Sequence, residues 1–183
     1  MRDGTDEYWV GRAIRDPESF GELVDRYQDR IFGVAVRLVG DRDVAADVAQ
    51  DTFLRAYRSL KSFRPEARFA PWIYKIAVNL CLDERRTRAV RPVAELDDNL
   101  VDREPSPERQ TETMELRREL LSAIESLPPK YRAAVVLRHI QDLPYEDIAE
   151  ALGVPLGTVK TWLFRGRELL QTRLAPMRSE RNA

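Results

Sequence analysis

Residues 145–170, YEDIAEALGVPLGTVKTWLFRGRELL, decide the fold. Apolar side chains recur at three- and four-residue spacing on both sides of Gly153, the pattern of two helices joined by a tight turn. In the second helix, which starts near Pro155, Val159, Leu163, Gly166 and Leu170 share one stripe and face Ile148, Ala149 and Leu152 of the first. Thr158, Thr161, Phe164 and Arg165 point the other way. A phenylalanine set outward among hydroxyls and a guanidinium suits a partner that is flat and polar. Length and spacing are those of a helix-turn-helix, whose second helix enters a major groove. Arg165 is placed for a bidentate contact to guanine beside Thr161, one turn earlier, and Phe164 for a thymine methyl. Lys160 and Arg167 flank that face at positions suited to phosphates.

The same helical period runs through nearly all of the 183 residues, and no alternating stretch argues for a strand. The expected fold class is therefore all-α. Residues 15–40, RDPESFGELVDRYQDRIFGVAVRLVG, open with Asp16 as a cap and Pro17 in the first turn, and close at Gly40. Phe20, Leu23, Val24, Tyr27, Ile31, Val34 and Leu38 make the buried stripe, and a shorter helix over Thr5 to Ile14 precedes it. Next, DRDVAADVAQDTFLRAYRSL turns Val44, Val48, Ala49, Phe53, Ala56 and Leu60 inward and leaves Asp47, Gln50, Asp51 and Arg55 outward. A third long helix starts at Pro71 and ends among Arg85, Arg86 and Arg88. These helices make one compact bundle. After a segment without helical period, containing Pro92, Pro105 and Pro107, helical spacing resumes near Met114 and builds a four-helix unit that ends in the helix-turn-helix.

Charge is distributed unevenly beneath a formal net charge of −1. Between Ala89 and Glu112 acids predominate; from Lys160 onward bases do, which favours a polyanionic partner for the second unit. A single cysteine, Cys81, excludes an intramolecular disulfide, and with one histidine, His139, there is no set of zinc ligands. No apolar run reaches the roughly 18 residues of a membrane span, and the N-terminus lacks a signal-peptide layout, so the expectation is a cytoplasmic protein without cofactor or metal. Catalytic groups are sparse: His139 reads as the edge of a core, no glycine-rich phosphate loop occurs, and Asp97 and Asp98 sit where nothing holds them in a fixed geometry. The chain reads as a binder rather than an enzyme.

A second binding surface is written in SFRPEARFAPWIYKIAVN, residues 62–79. Phe63, Phe69, Trp72 and Tyr74 alternate with Arg64, Arg68 and Lys75, the mixture that holds unstacked bases beside a phosphate backbone. Taken singly each of these aromatics reads as core, Trp72 above all because it shares a stripe with Ile76. Asn79 is suited either to a base edge or to fixing loop backbone.

These stretches, in this order about an acidic linker, resemble a bacterial RNA polymerase sigma factor of the extracytoplasmic-function group of the sigma-70 family. The pieces that carry the resemblance are DVAADVAQDTFLRAYRSLKSFR, FAPWIYKIAVNLCLDERR and LPPKYRAAVVLRHIQDLPYEDIAEALGVPLGTVKTWLFRGRELL. It implies a region 2 domain over 1–88, an acidic linker over 89–112 and a region 4 domain over 113–183. It also implies that Asp47, Gln50, Asp51 and Arg55 meet the clamp helices of the largest polymerase subunit, with the flap of the second subunit as a further contact. Minus-ten DNA falls to Phe63, Arg64, Arg68, Phe69, Trp72, Lys75 and Asn79, and the minus-thirty-five element to Thr158, Lys160, Thr161, Phe164, Arg165 and Arg167. An anti-sigma factor is the expected regulator. Trp162 departs from the family where an arginine is common, and Pro144 where a serine often caps the helix. Without the resemblance, a helix-turn-helix repressor or activator that binds a palindromic duplex by itself is the alternative reading, and a helical nucleic-acid enzyme the third.

Overall fold

The computed structural model describes residues 4–64, 67–90, 116 and 118–181. Among these residues the secondary structure is helix and turn without a strand, as the all-α expectation requires. Helix α1 spans Asp6–Ala13, capped by Thr5, whose hydroxyl accepts from the Tyr8 amide. Asp16 caps a short 3₁₀ turn, Pro17–Ser19, that leads into α2, Phe20–Val39. Gly40 stops α2 in the left-handed region. Asp41 then caps α3, Arg42–Ser59, by accepting from the Val44 amide. Helix α4, Phe69–Val90, starts two residues ahead of Pro71. The proline therefore stands inside the first turn, where its missing amide proton leaves no hydrogen bond unmade. The rest of the expected linker, with Pro92, Pro105 and Pro107, lies outside the described residues.

Residues 118–125 form α5, followed by α6, Pro129–His139, α7, Tyr145–Leu152, and α8, Leu156–Arg181. Gly153 ends α7 with φ 64°, a conformation that favours glycine, and so makes the tight turn of the helix-turn-helix possible. Pro144 supplies no side-chain cap to α7. Instead Tyr145, the next residue, is held from two sides: the Arg138 guanidinium lies over its ring and Arg167 of α8 donates to its hydroxyl.

Core stripes follow the expected period with local rotations. Phe20, Leu23, Tyr27, Ile31, Val34 and Leu38 are buried on α2, joined by Ala35, while Val24 is half-buried. On α3 the buried line is Ala45, Val48, Thr52 and Ala56, so Val44, Ala49 and Phe53 sit at its flanks. Thr52 tolerates complete burial because its hydroxyl donates back to the Val48 carbonyl at 2.7 Å.

The two groups of helices, α1–α4 and α5–α8, are packed together. Helix α7 lies along α4, α6 touches α2, and one apolar core runs from Val10 through Tyr74 to Leu163. Polar contacts pin this junction. Tyr74 donates to Gln141 Oε1 at 2.9 Å, and Gln141 Nε2 donates to the Arg30 carbonyl at 3.4 Å. Arg132 of α6, 5% exposed, donates to the Leu38 and Leu127 carbonyls, each at 3.2 Å. Arg85 of α4 donates to the same Leu38 oxygen at 3.1 Å. Two guanidinium groups at the C-terminal end of α2 answer its exposed carbonyls and its dipole.

Candidate nucleic-acid interface

Helix α8 presents the face expected of it. Val159 and Leu163 are fully buried, Gly166 is buried, and Lys160, Thr161, Phe164, Arg165 and Arg167 are exposed, with Thr158 half-buried. Phe164 is 59% exposed, the most open large apolar side chain among the described residues. It is partly covered on one side by the Arg165 guanidinium, 6.0 Å from the ring centre. Arg165 also reaches Glu168 Oε2 at 2.9 Å, an exposed pair of small net worth, so its donors remain recruitable. Thr161 bonds back to the Gly157 carbonyl, and Arg167 is occupied by Tyr145, which fixes α7 against α8. Trp162 is half-buried against the core, so this departure from the family's arginine replaces a charge with packing.

On α4 the expected residues divide in two. Phe69 is fully buried and Phe63 8% exposed, so neither ring is free to stack on a base; both belong to the core that holds the loop. Tyr74 is likewise inside, 1% exposed, with burial pushing its phenol up to about 12. The physical reason is the apolar wall behind them. Phe63, Phe69 and Trp72 pack as one cluster, with ring centres 5.0 Å apart for Phe63–Trp72 and 5.6 Å for Phe69–Trp72, and Tyr27 closes the far side. Trp72 is the edge of this cluster, half-buried. With Lys75 and Asn79, both exposed, it forms a line along the outer face of α4 at three- and four-residue spacing. Arg64 and Arg68 stand exposed at the head of that line. Burial thus separates Phe63 and Phe69, which support the loop, from Arg64, Arg68, Trp72, Lys75 and Asn79, which solvent reaches.

The α3 face is also assembled as expected. Asp47, Gln50, Asp51 and Arg55 are all exposed. Asp47, Asp51 and Arg55 line a depression of about 240 Å³ between α3 and α4, together with Asp83 and Glu84. Those last two acids were not anticipated, because they come from the end of a different helix. The depression is acidic, with one arginine among four carboxylates.

The arginine cluster that ends α4 is structural. Arg88 joins Asp41 at 3.1 Å and Glu84 at 3.3 Å, Arg86 pairs with Asp83, and Arg85 bonds the Leu38 carbonyl. Asp41 is held below the ordinary carboxylate range, chiefly by the Val44 amide and further by Arg88. His139 is exposed at the end of α6, and partial desolvation with Arg167 and Arg138 nearby lowers its pKa. Among the described residues no group of carboxylate, histidine or thiol ligands is placed to hold a metal ion. No helix among them is long and apolar enough to cross a membrane.

Comparison with known proteins agrees with this layout. Residues 23–91 match the family described as sigma-70 region 2, and residues 117–170 the family described as sigma-70, region 4. The chain is 40% identical to the ECF RNA polymerase sigma factor SigE of Mycolicibacterium smegmatis, an alignment covering 96% of this chain and 75% of that protein. It is 37% identical to the ECF sigma-E factor of Haemophilus influenzae, over 94% of this chain and 97% of that one. Among solved structures, CnrH in complex with the cytosolic domain of CnrY superposes with a TM-score of 0.73 at 24% identity, covering 93% of this chain and 97% of CnrH. RpoE of Bartonella quintana, solved with the anti-sigma factor NepR, superposes at 0.66 with 23% identity, over 86% and 98% of the two chains. These two likenesses are of fold.

Proposed function

This chain belongs to the extracytoplasmic-function group of the sigma-70 family, and from that premise we propose how its surfaces divide the work. It directs RNA polymerase core to promoters and starts transcription there. In the reading proposed here the chain supplies binding surfaces and no catalytic group, and acts in the cytoplasm.

Three surfaces carry three contacts. The α3 face, with Asp47, Gln50, Asp51 and Arg55, docks on the clamp helices of the largest polymerase subunit; the acidic depression extended by Asp83 and Glu84 fits a basic helical surface there. The second helical group meets the flap of the second subunit. Along α4 and the loop before it, Arg64, Arg68 and Lys75 hold the backbone of the minus-ten strand, Trp72 stacks on a base and Asn79 reads a base edge. Opening duplex costs a few kcal/mol for each unstacked step, and a stacked base returns about 1–3 kcal/mol. One tryptophan therefore does not melt DNA alone; the cations and the polymerase must contribute. Helix α8 reads the minus-thirty-five duplex through Thr158, Lys160, Thr161, Phe164 and Arg165, with Arg167 at its phosphate flank.

The observation that carries this reading is the pair of outward faces on one chain, Trp72–Lys75–Asn79 on α4 and Thr161–Phe164–Arg165 on α8, one suited to unpaired bases and the other to a groove. An anti-sigma factor is proposed as the regulator, as RpoE of Bartonella quintana has in its complex with NepR. In vitro transcription with core polymerase over a genomic library tests the whole. Asp51→Ala should weaken every promoter alike, whereas Arg165→Ala should spare some promoters and silence others. A chain that starts no transcription with core refutes the reading.

A further inference from the structure

Helix α1 lies outside the residues that match the region 2 family, yet one of its side chains reaches the aromatic wall behind the α4 surface. Asp6 bridges α1 to α2 with both carboxylate oxygens. Oδ1 accepts from Arg26 Nη1 at 3.0 Å, and Oδ2 accepts from the Tyr27 hydroxyl. Tyr27 is 4% exposed, so water is a poor substitute for that acceptor. Burial first, and the Asp6 bond next, raise the pKa of the phenol and keep it a donor.

The Tyr27 ring meets Phe69 edge-on, ring centres 5.3 Å apart, and Tyr74 at 6.2 Å. Phe69, fully buried, meets Trp72 at 5.6 Å. Interiors are close-packed, so a ring in such a row does not turn without displacing the next. Tyr27, Phe69 and Tyr74 are all buried, whereas Trp72 is half-buried and its open edge gives it room to turn. A movement that enters the row at Tyr27 therefore emerges at Trp72.

We propose that Asp6 is a positioning residue for the minus-ten surface: by holding the Tyr27 hydroxyl it fixes, through Phe69, the angle at which Trp72 meets an unpaired base. The proposal rests on the single-strand reading of Trp72. Arg26 secures the second oxygen, so the carboxylate cannot turn away from the hydroxyl without breaking an ion pair. Overlap with a base depends on ring angle, so an indole set at the wrong angle keeps most of its packing and loses stacking. Binding and folding are then separable: the wall stays folded while its outer edge is misdirected.

The test uses the full chain labelled with fluorotryptophan, the Trp72 resonance being assigned from Trp72→Phe. Tyr27→Phe removes only the hydroxyl, and Asp6→Ala removes its acceptor. Each should shift or broaden the Trp72 fluorine signal, leave that of Trp162 in place, and weaken binding to a mixed-sequence single-stranded DNA of about 12 nucleotides. Losing a stacked base outright corresponds to about 5–150-fold, so a misdirected ring should lose about three- to tenfold. Asp6→Asn, which retains an acceptor oxygen, should recover most of that loss. In a Trp72→Ala background, Tyr27→Phe should lower single-strand affinity no further. An unmoved Trp72 signal in Tyr27→Phe overturns the proposal, and so does an undiminished penalty in the Trp72→Ala background. Unaltered affinity in Trp72→Ala alone would refute the stacking reading and the proposal with it, whereas a loss there beside an unmoved signal in Tyr27→Phe refutes the proposal and leaves the reading standing.

Discussion

Gly166 of α8 lies so close to Val135 of α6 that a β-carbon added at 166 would stand 2.7 Å from the valine Cγ2. That spacing sets how α8, and with it the exposed face proposed to read duplex, is held against α6. Val135 is 2% exposed and β-branched, so it cannot swing aside without moving its own neighbours. Two effects compete in Gly166→Ala. Alanine favours helix over glycine by about 1 kcal/mol, but overpacking costs about 1–3 kcal/mol. Overpacking wins, and the variant should lose about 1 kcal/mol in urea unfolding. In a Val135→Ala background the same glycine substitution should cost less, since the two residues share one space. A double variant that merely sums the two single losses would show that the contact does not govern α8.

Asp41 couples a helix cap to an ion pair, accepting from the Val44 amide at 3.0 Å and from Arg88 at 3.1 Å. Its folded pKa is lowered, the Val44 amide being the largest cause and Arg88 a further one. A carboxylate with a depressed folded pKa binds fewer protons folded than unfolded in the interval between the two values. Its stabilisation is thus complete above the unfolded value and is lost as pH falls through the folded one. Asp41→Asn keeps a good cap and removes the charge, while Asp41→Ala removes both and should cost about 1 kcal/mol at neutral pH. Thermal unfolding by circular dichroism from pH 7 down to pH 2.5 should show the wild-type advantage over Asp41→Asn shrinking at the acid end. A difference independent of pH would sink this assignment.

Much of this architecture is legible in the chain itself. Caps at Asp16 and Gly40, the α2 stripe and the outward faces of α3 and α8 follow from periodicity and turn chemistry, which are local. What was not legible depends on contacts between distant residues. Phe63 and Phe69 carry the same aromatic signal as Trp72, and only the packing of Tyr27 behind them decides that they face inward. Thr52 looks polar in the sequence and is buried because its hydroxyl is satisfied within its own helix. Arg68 pairs with Asp147 of α7, joining two segments whose separate patterns predict only solvated charges. Asp83 and Glu84 likewise enter the α3 depression because α4 passes beside it.

The difference in burial between Phe69 and Trp72, with the stacking role proposed for the second, predicts opposite phenotypes for two aromatics in contact. Phe69→Ala removes a fully buried ring and should cost about 3–5 kcal/mol of stability. Trp72→Ala removes a half-buried ring at the cluster edge, so its stability loss should be smaller. Its loss in single-strand binding, by contrast, should reach about 1–3 kcal/mol if a base stacks there. Chemical denaturation and oligonucleotide anisotropy, measured on a Trp72→Ala chain shown to be folded, separate the two. Unaltered single-strand affinity in that variant would place the stacking site elsewhere.

Arg165 presents a choice between Glu168, 2.9 Å away on the same exposed face, and a base edge. Magnitudes decide it. An exposed i,i+3 ion pair is worth about 0.2–0.5 kcal/mol, and a bidentate contact to guanine about 1–3 kcal/mol of discrimination, so DNA should take the guanidinium from the acid. Arg165→Ala should lower affinity for a duplex carrying the minus-thirty-five element by about 5–150-fold and relax selection at one base pair, because one specific donor pair is lost. Glu168→Ala should leave that selection intact and raise affinity slightly, since it removes only the competitor and a negative charge near phosphate. Lys160→Ala offers the contrast: it should weaken cognate and scrambled duplex alike and flatten the salt dependence by about one counterion. Fluorescence anisotropy against both duplexes at several salt concentrations distinguishes these cases, and equal loss on both sequences for Arg165→Ala would reduce that residue to a phosphate contact.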